Sequence, residues 1–120
     1  MKYDNFTQMP VWQKAFDLLL KIYQITKNFP SDERFGLIAD MRRSANSIVH
    51  NIAEGFGRFY PKEKSHFYRI SRGSSYELWS QILASHALEY LSSEVEKNSL
   101  IAQCQEVIED LDKLMKSLSS

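Results

Sequence analysis

The stretch LIADMRRSANSIVHNIAEGFG, residues 37–57, contains the clearest helical pattern in this chain. Its apolar residues recur at spacings of three and four, the period of a helix that buries one face. These residues are Leu37, Met41, Ala45, Ile48 and Ile52. The glycines at 55 and 57 are typical of a helix C-terminus, where left-handed geometry is common. The stretch therefore predicts an amphipathic helix over residues 35–56.

Prolines and capping residues divide the rest of the chain into three further helices. Pro10 and Pro61 suit the first turn of a helix, whereas Phe29-Pro30 ends one because the residue before proline avoids the α region. Ser93 and Glu96 have the spacing of a capping box. We predict helices over 10–28, 35–56, 61–91 and 93–118 in a single domain, residues 1–120. Short connections favour an all-α, antiparallel up-down four-helix bundle.

Composition limits the class of protein. The 120 residues are 43% hydrophobic, enough for a core without disulfides, and the formal net charge is zero. Zero net charge implies neither a nucleic-acid nor a membrane partner. The lone Cys104 fits a reducing compartment, and we find no secretion signal and no apolar run of about 18 residues. We expect a cytoplasmic protein with no membrane partner.

Reactive groups do not form a recognisable catalytic or metal-binding pattern. A di-iron bundle needs two Glu-x-x-His motifs, but the chain has one, Glu63 to His66. We find no His-Glu-x-x-His motif, no cysteine pair and no nucleophile elbow. Cys104 falls in the apolar seam of helix four, where burial would raise the pKa of its thiol. We expect no enzymatic activity, metal, cofactor or small-molecule substrate.

Helices one and three carry more apolar surface than one bundle core needs. A regular second stripe of aromatic residues predicts a homo-oligomeric interface. The candidate interface residues are Trp12, Phe16, Tyr23, Tyr68, Tyr76, Trp79 and Tyr90. The alternative is that these are ordinary exposed aromatics whose hydroxyls stay in water. Gly73 lies inside helix three at a cost of about 1 kcal/mol relative to alanine, which close helix packing would offset.

Charge is unevenly distributed along the chain. Between Met41 and Arg72 there are seven basic and two acidic residues. Between Glu89 and Asp112 there are seven acidic residues and one basic residue, Lys97. The candidate nucleic-acid-binding residues are Arg42, Arg43, Arg58, Lys62, Lys64, Arg69 and Arg72. They would line the hairpin of helices two and three, with Phe56, Phe59 and Tyr60 at its tip for base stacking. Alternatively they pair with helix four, Glu77 or a neighbouring subunit, which the zero net charge favours.

Several ordered blocks resemble a known family. They are Val11-Trp12-Gln13-Lys14-Ala15, Phe29-Pro30, Glu33-x-Phe35-Gly36-Leu37, Arg42-Arg43-Ser44-Ala45-x-Ser47-Ile48, Asn51-Ile52-Ala53-Glu54-Gly55, Arg58 and Gly73-Ser74-Ser75-x-Glu77-Leu78. Over residues 10–92 the chain is similar to bacterial four-helix-bundle proteins associated with intervening sequences in 23S rRNA genes, often labelled ribosomal-protein-like.

The resemblance implies an up-down four-helix bundle without established enzymatic activity, and ring-shaped homopentamers are known among relatives. A related class, the accessory proteins of diversity-generating retroelements, is basic and binds nucleic acid and a reverse transcriptase, whereas this chain is neutral. Val49-His50 stands where many members carry a proline, so helix two is unbroken here. The motif residues Arg42, Arg43, Asn51, Glu54 and Glu77 are equally explained by a structural ion-pair and amide network.

Two functional hypotheses follow. The first is a non-enzymatic homo-oligomeric interaction protein that binds RNA or a nucleoprotein partner. The second is a purely structural or regulatory bundle that binds another protein through its aromatic surface and has no nucleic-acid role.

Overall fold

The structure, a computed structural model, describes residues 2–119 and is built from helices. The four α-helices are α1 (Pro10–Thr26), α2 (Leu37–Phe56), α3 (Pro61–Ala87) and α4 (Glu94–Ser119). Two short 3-10 helices, Phe6–Gln8 and Ser31–Glu33, precede α1 and α2. The all-α class is confirmed, and the described residues contain no strand.

The four helices form a ring of neighbours around one core. α1 and α3 each pack against both α2 and α4, whereas within residues 2–119 no diagonal pair brings Cα atoms within 8 Å. The principal extents are 44 × 25 × 21 Å, consistent with an up-down bundle. The largest fully buried side chains include Leu18, Ile22, Ile48, Ile52, Leu78, Ile82, Val107 and Leu111.

Small and hydroxylated side chains join α2 to α3. Ser47 Oγ lies 2.7 Å from Ser74 Oγ, and Ser71 Oγ donates a hydrogen bond of 2.8 Å to the carbonyl oxygen of Ile48. Asn51 Nδ2 donates to the carbonyl oxygen of Ser47 at 2.8 Å. The hydroxyls of Ser47, Ser71 and Ser74 therefore each have a partner at this seam, and short side chains let the two backbones approach. This is a structural role for Asn51.

The predicted left-handed glycine at the end of α2 is wrong, because all four glycines have negative φ. Gly55 lies inside the helix, where a Cβ atom would sit 2.5 Å from Cε1 of Tyr68. Gly57, with φ −75°, is the C-cap. Lys64 Nζ instead satisfies the last carbonyl oxygens of α2, at 2.7 Å from Phe56 and 3.3 Å from Gly55.

Helix α3 ends at Ala87, four residues before the predicted end at 91. Glu89 adopts φ 66°, the left-handed conformation that closes a Schellman motif. The Tyr90 N–H donates to the Ser85 carbonyl at 2.9 Å, and the Glu89 N–H donates to the His86 carbonyl at 3.0 Å. Glycine usually occupies this position, so residues 88–91 contain no visible signal for the end of the helix. The other predicted helix limits differ from the structure by at most two residues.

The start of α4 is capped as predicted. Ser93 Oγ accepts a hydrogen bond of 3.1 Å from the Glu96 N–H. A serine hydroxyl at this position satisfies one of the unpaired amides of the first turn. The spacing of Ser93 and Glu96 therefore located the cap of α4.

Candidate nucleic-acid interface

The turn between α2 and α3 carries an exposed basic and aromatic surface. An open groove of about 580 Å³ is lined by Arg58, Tyr60, Lys62, Glu63, His66, Phe67 and Arg69, and we call it the tip groove. Tyr60 is 69% exposed beside it, and the neighbouring Phe59 is 92% exposed. Two rings held in water at the end of a hairpin offer stacking surfaces for unpaired bases.

Local backbone geometry places Tyr60 outside the bundle. Tyr60 is the N-cap of α3, with extended φ −95° and ψ 139°, and Pro61 fixes the first helical turn. The Tyr60 carbonyl accepts the Lys64 N–H at 3.0 Å, so its backbone belongs to the helix while its side chain projects from the turn. The aromatic position therefore rests on a rigid helix start.

Cations outnumber acids in the tip groove. Lys62 and Arg69 are exposed, and neither makes an ion pair or a hydrogen bond with the described residues. Arg58 pairs with Glu54 at 2.6 Å and lies 4.7 Å from the ring centroid of Phe67. Glu63 is the carboxylate of the groove itself. An anionic ligand would therefore meet two unengaged cations beside a third.

The remaining predicted basic residues lie outside the tip groove. Arg42 Nε donates to Thr26 Oγ1 at 3.0 Å, far from the tip at the start of α2, and Arg43 pairs with Asp40 at 2.6 Å. Lys64 turns inward to the α2 carbonyls, and desolvation lowers its pKa. All seven candidate residues lie on α2, on α3 or in the turn between them, and three of them, Arg58, Lys62 and Arg69, line the tip groove.

One predicted pairing with helix four is present. Arg72 Nε lies 2.6 Å from Asp112 Oδ1, and this hydrogen bond raises the pKa of Arg72. The two side chains are 39% and 48% exposed, so water weakens the pair. Asp112 therefore pairs with Arg72, but the pair holds the arginine side chain only weakly. Glu77, the other predicted acidic partner, is exposed and makes no ion pair within the described chain.

Two of the predicted oligomer-interface residues are engaged within the protein. Tyr68 is 2% exposed, so its assignment to an interface is wrong, and burial raises its pKa to about 12. Tyr90 is half-buried, packs its ring 5.5 Å from Phe29 and donates from its hydroxyl to Glu33 Oε2 at 2.9 Å. That hydrogen bond raises the pKa of Tyr90. These tyrosines serve the core and the bundle end opposite the tip.

The other five predicted interface residues lie in two rows, each of which contains one stacked ring pair. Trp12 and Phe16 stack at 4.8 Å on α1, where Tyr23 follows, and Tyr76 and Trp79 stack at 5.7 Å on α3. Both tryptophans are half-buried, whereas Phe16, Tyr23 and Tyr76 are exposed. The exposed Leu20 and Leu83 extend the two rows.

The site contains no metal constellation. Within residues 2–119, no three His, Cys, Asp or Glu side chains lie close enough to hold a metal ion. Cys104 is fully buried, and burial raises the pKa of its thiol to about 12, as predicted. None of the described helices is both long and apolar enough to span a membrane.

The fold and the site define a class of protein, a four-helix all-α bundle with an exposed turn between its second and third helices. The sequence model of the family described as 23S rRNA-intervening sequence protein matches residues 7–113. The chain belongs to this family, as the ordered sequence blocks predicted. No curated protein matches the chain.

Proposed function

We propose that the protein is a non-enzymatic, self-associating RNA-binding protein that holds single-stranded RNA in the tip groove. The carrying observation is the combination, at one helix start, of the unpaired Lys62 with the exposed rings of Phe59 and Tyr60. Single strands expose bases that stack on aromatic rings, whereas duplexes keep their bases stacked internally. The family description, which names an rRNA-intervening sequence, is consistent with an RNA partner.

A salt titration tests this proposal. Binding of fluorescent oligouridylate would be followed by anisotropy across a salt series, because each neutralised phosphate of a single strand contributes about −0.7 to the slope of log K against log salt. Lys62→Gln should reduce the magnitude of that slope by about 0.7. Tyr60→Ala should cost about 1–3 kcal/mol of binding if the ring stacks on a base.

The matched control is Arg34→Gln. Arg34 lies over the exposed Phe35, 5.3 Å from its ring centroid, at the bundle end opposite the tip groove. This variant removes one positive charge from a similar pair of a cation and an aromatic ring. Because the pair lies away from the tip groove, the affinity for oligouridylate should not change. No measurable oligouridylate binding by the wild type, or equal losses for Arg34→Gln and Lys62→Gln, would refute the RNA-binding site.

Self-association is supported by the exposed aromatic and aliphatic side chains on α1 and α3. A solvated monomer rarely carries two regular apolar rows on different helices, since burying them against another chain removes apolar area from water. Light scattering at micromolar concentration should report a mass above that of the 14.0 kDa chain. A monomer would remove this part of the proposal while leaving RNA binding testable.

A second candidate function is a regulatory bundle that binds another protein through its aromatic surface. It is favoured because some of the predicted RNA-binding cations already pair with carboxylates within the chain. Arg43, Arg58 and Arg72 each form such an ion pair. Affinity purification with and without ribonuclease separates the two candidates. A partner protein retained after ribonuclease treatment, together with no bound RNA, would select the second.

A further inference from the structure

Glu63 is the side chain of the tip groove that an RNA backbone would repel. The groove is lined by the cations Arg58, Lys62 and Arg69 and, within residues 2–119, by one carboxylate. Glu63 is exposed, and neither an ion pair nor a hydrogen bond of the described chain engages its carboxylate. A groove that only held phosphates would bind RNA better without this negative charge. Its presence therefore needs a reason other than backbone binding.

Helix geometry places the Glu63 carboxylate close to the Tyr60 ring. Tyr60 is the N-cap of α3 and Glu63 is the third residue of the helix, so the two lie about one turn apart. Helical side chains tilt towards the N-terminus, and a glutamate at this position can reach back to the N-cap residue. Both side chains line the tip groove. A base stacked on Tyr60 would therefore present its edge to the carboxylate.

The simplest structural reason for an acid at this position is the helix dipole, which favours negative charge in the first turn. Glu96 provides the comparison, since it is the third residue of α4, after the capping Ser93. Glu96 lies beside Tyr90, at the bundle end opposite the tip groove. The dipole acts on both glutamates, whereas only Glu63 faces the tip groove. The two residues thus separate an effect on the helix from an effect on a ligand.

Hydrogen-bond chemistry decides which base suits this carboxylate. An ionised carboxylate only accepts hydrogen bonds, and its two oxygens lie side by side. Guanine has two adjacent donors on its Watson–Crick edge, N1–H and the N2 amine. Uracil has a single donor between two carbonyl oxygens, and adenine and cytosine each have one amine beside a ring nitrogen that accepts. With these three bases, the second carboxylate oxygen would face an acceptor and be repelled.

The cations of the groove complete the match with guanine. Guanine O6 lies next to N1–H and accepts hydrogen bonds, most often from arginine or lysine. Lys62 directly precedes Glu63, and Arg69 lines the same groove. Neither cation has an ion pair within the described chain. The groove therefore places positive charge beside a carboxylate, which is the complement of an acceptor beside two donors.

We infer that the tip groove recognises guanine in single-stranded RNA. The base stacks on Tyr60, its N1–H and N2 amine donate to the two carboxylate oxygens of Glu63, and its O6 faces the cationic side of the groove. Specificity arises because Glu63 repels the backbone of every RNA and recovers that loss with guanine alone. The inference rests on the RNA binding proposed above and adds the base that the site prefers.

Single-base RNA variants test this recognition. Fluorescein-labelled UUGUU, UUIUU and UUUUU, where I is inosine, would be titrated at one salt concentration and followed by anisotropy. Inosine keeps the purine ring and O6 of guanosine but lacks the N2 amine, so it controls for stacking. The wild type should bind UUGUU about fivefold to tenfold more tightly than UUIUU, the lower range for a bidentate base contact. UUAUU and UUCUU should bind no more tightly than UUIUU.

Removing the carboxylate separates base recognition from electrostatics. Glu63→Ala should bind UUGUU and UUIUU equally, and should bind UUUUU about twofold more tightly than the wild type because a repelling charge is gone. Glu96→Ala is the matched control, since it removes the same charge from the same helical position. It should keep the wild-type preference for UUGUU. Circular dichroism and the retained binding of UUUUU would show that Glu63→Ala is folded.

Each other result identifies what is wrong. If the wild type binds none of these RNAs, the proposed RNA-binding function fails first, and guanine recognition fails with it. If the wild type binds RNA but does not distinguish UUGUU from UUIUU, RNA binding stands and guanine recognition is overturned. A preference for UUGUU that survives Glu63→Ala, or that Glu96→Ala abolishes equally, would overturn the role of Glu63.

Discussion

The contact between Gly55 and Tyr68 makes the strongest prediction about stability. Gly55 lies in the helical part of α2, facing α3, and a Cβ atom there would meet Cε1 of Tyr68 at 2.5 Å and Cδ1 at 2.9 Å. The Tyr68 ring is 2% exposed and forms part of the core cluster, so it has little room to retreat. Gly55→Ala should therefore destabilise the protein, although alanine is the better helix former.

Two opposing effects set the magnitude. Overpacking a buried site costs about 1–3 kcal/mol, and a rigid, enclosed ring places this site near the upper end. Replacing a helix-interior glycine by alanine gains about 1 kcal/mol of helix propensity. The net loss is therefore about 2 kcal/mol in the free energy of unfolding. For a chain of this size that corresponds to a fall of roughly 8 °C in melting temperature.

Urea denaturation followed by circular dichroism measures the loss, at one fixed protein concentration for all variants. Gly57→Ala is the matched control, because a Cβ at Gly57 meets no atom closer than 3.5 Å and φ is −75°. An alanine adopts that backbone, so the control should be neutral or gain up to about 1 kcal/mol. The two substitutions are chemically identical and two residues apart.

A double-mutant cycle shows whether Tyr68 is the cause. Tyr68→Leu removes the ring edge, so Gly55→Ala should cost less in that background, with a coupling of about 1–2 kcal/mol. If Gly55→Ala is as stable as Gly57→Ala, close packing of α2 on α3 at this point is refuted. If the loss is the same in both backgrounds, the ring is not the obstacle.

Three further predictions follow from single sites. Glu89→Gly should raise the free energy of unfolding by about 1 kcal/mol, since glycine adopts φ 66° without strain, whereas Glu89→Ala should not. Cys104, whose pKa burial raises to about 12, should resist iodoacetamide in the native protein at pH 8 and react fully in denaturant; rapid native alkylation would contradict its burial. Tyr68 has its pKa raised by burial from 10.0 to about 12, so folding favours the neutral phenol. Its stabilising contribution is complete below about pH 10 and is lost as the pH rises through about 12, and Tyr68→Phe should flatten stability over that range.

The fold was predictable because its main signals are local. Proline at residues 10 and 61 marks the first turn of α1 and α3, and Ser93 caps α4 as its spacing indicated. The end of α3 was not predictable. Glu89 takes a conformation that favours glycine, and hydrogen bonds to Ser85 and His86, formed by the returning chain, hold it there.

The candidate site was predictable in part. The exposed Phe59 and Tyr60 follow from their place between two helices, next to a helix-starting proline. Which cations join them depends on side-chain direction. Lys62 points into solvent, whereas Lys64, two residues later, turns back to cap α2. Residue type does not distinguish these two lysines, because the difference arises from the unsatisfied carbonyls that a neighbouring helix presents.

The motif residues of α2 and α3 divide into two groups, and the division bears on where function resides. Ser47, Asn51 and Ser74 bond to one another or to the backbone, and they hold the hairpin together. Gly73 and Glu77 belong to the same blocks but face outward without a partner in the described chain. Packing explains the first group and cannot explain the second. The self-association proposed above would account for both, because another copy of the chain would then cover the face that carries the helix-interior glycine and the unpaired carboxylate.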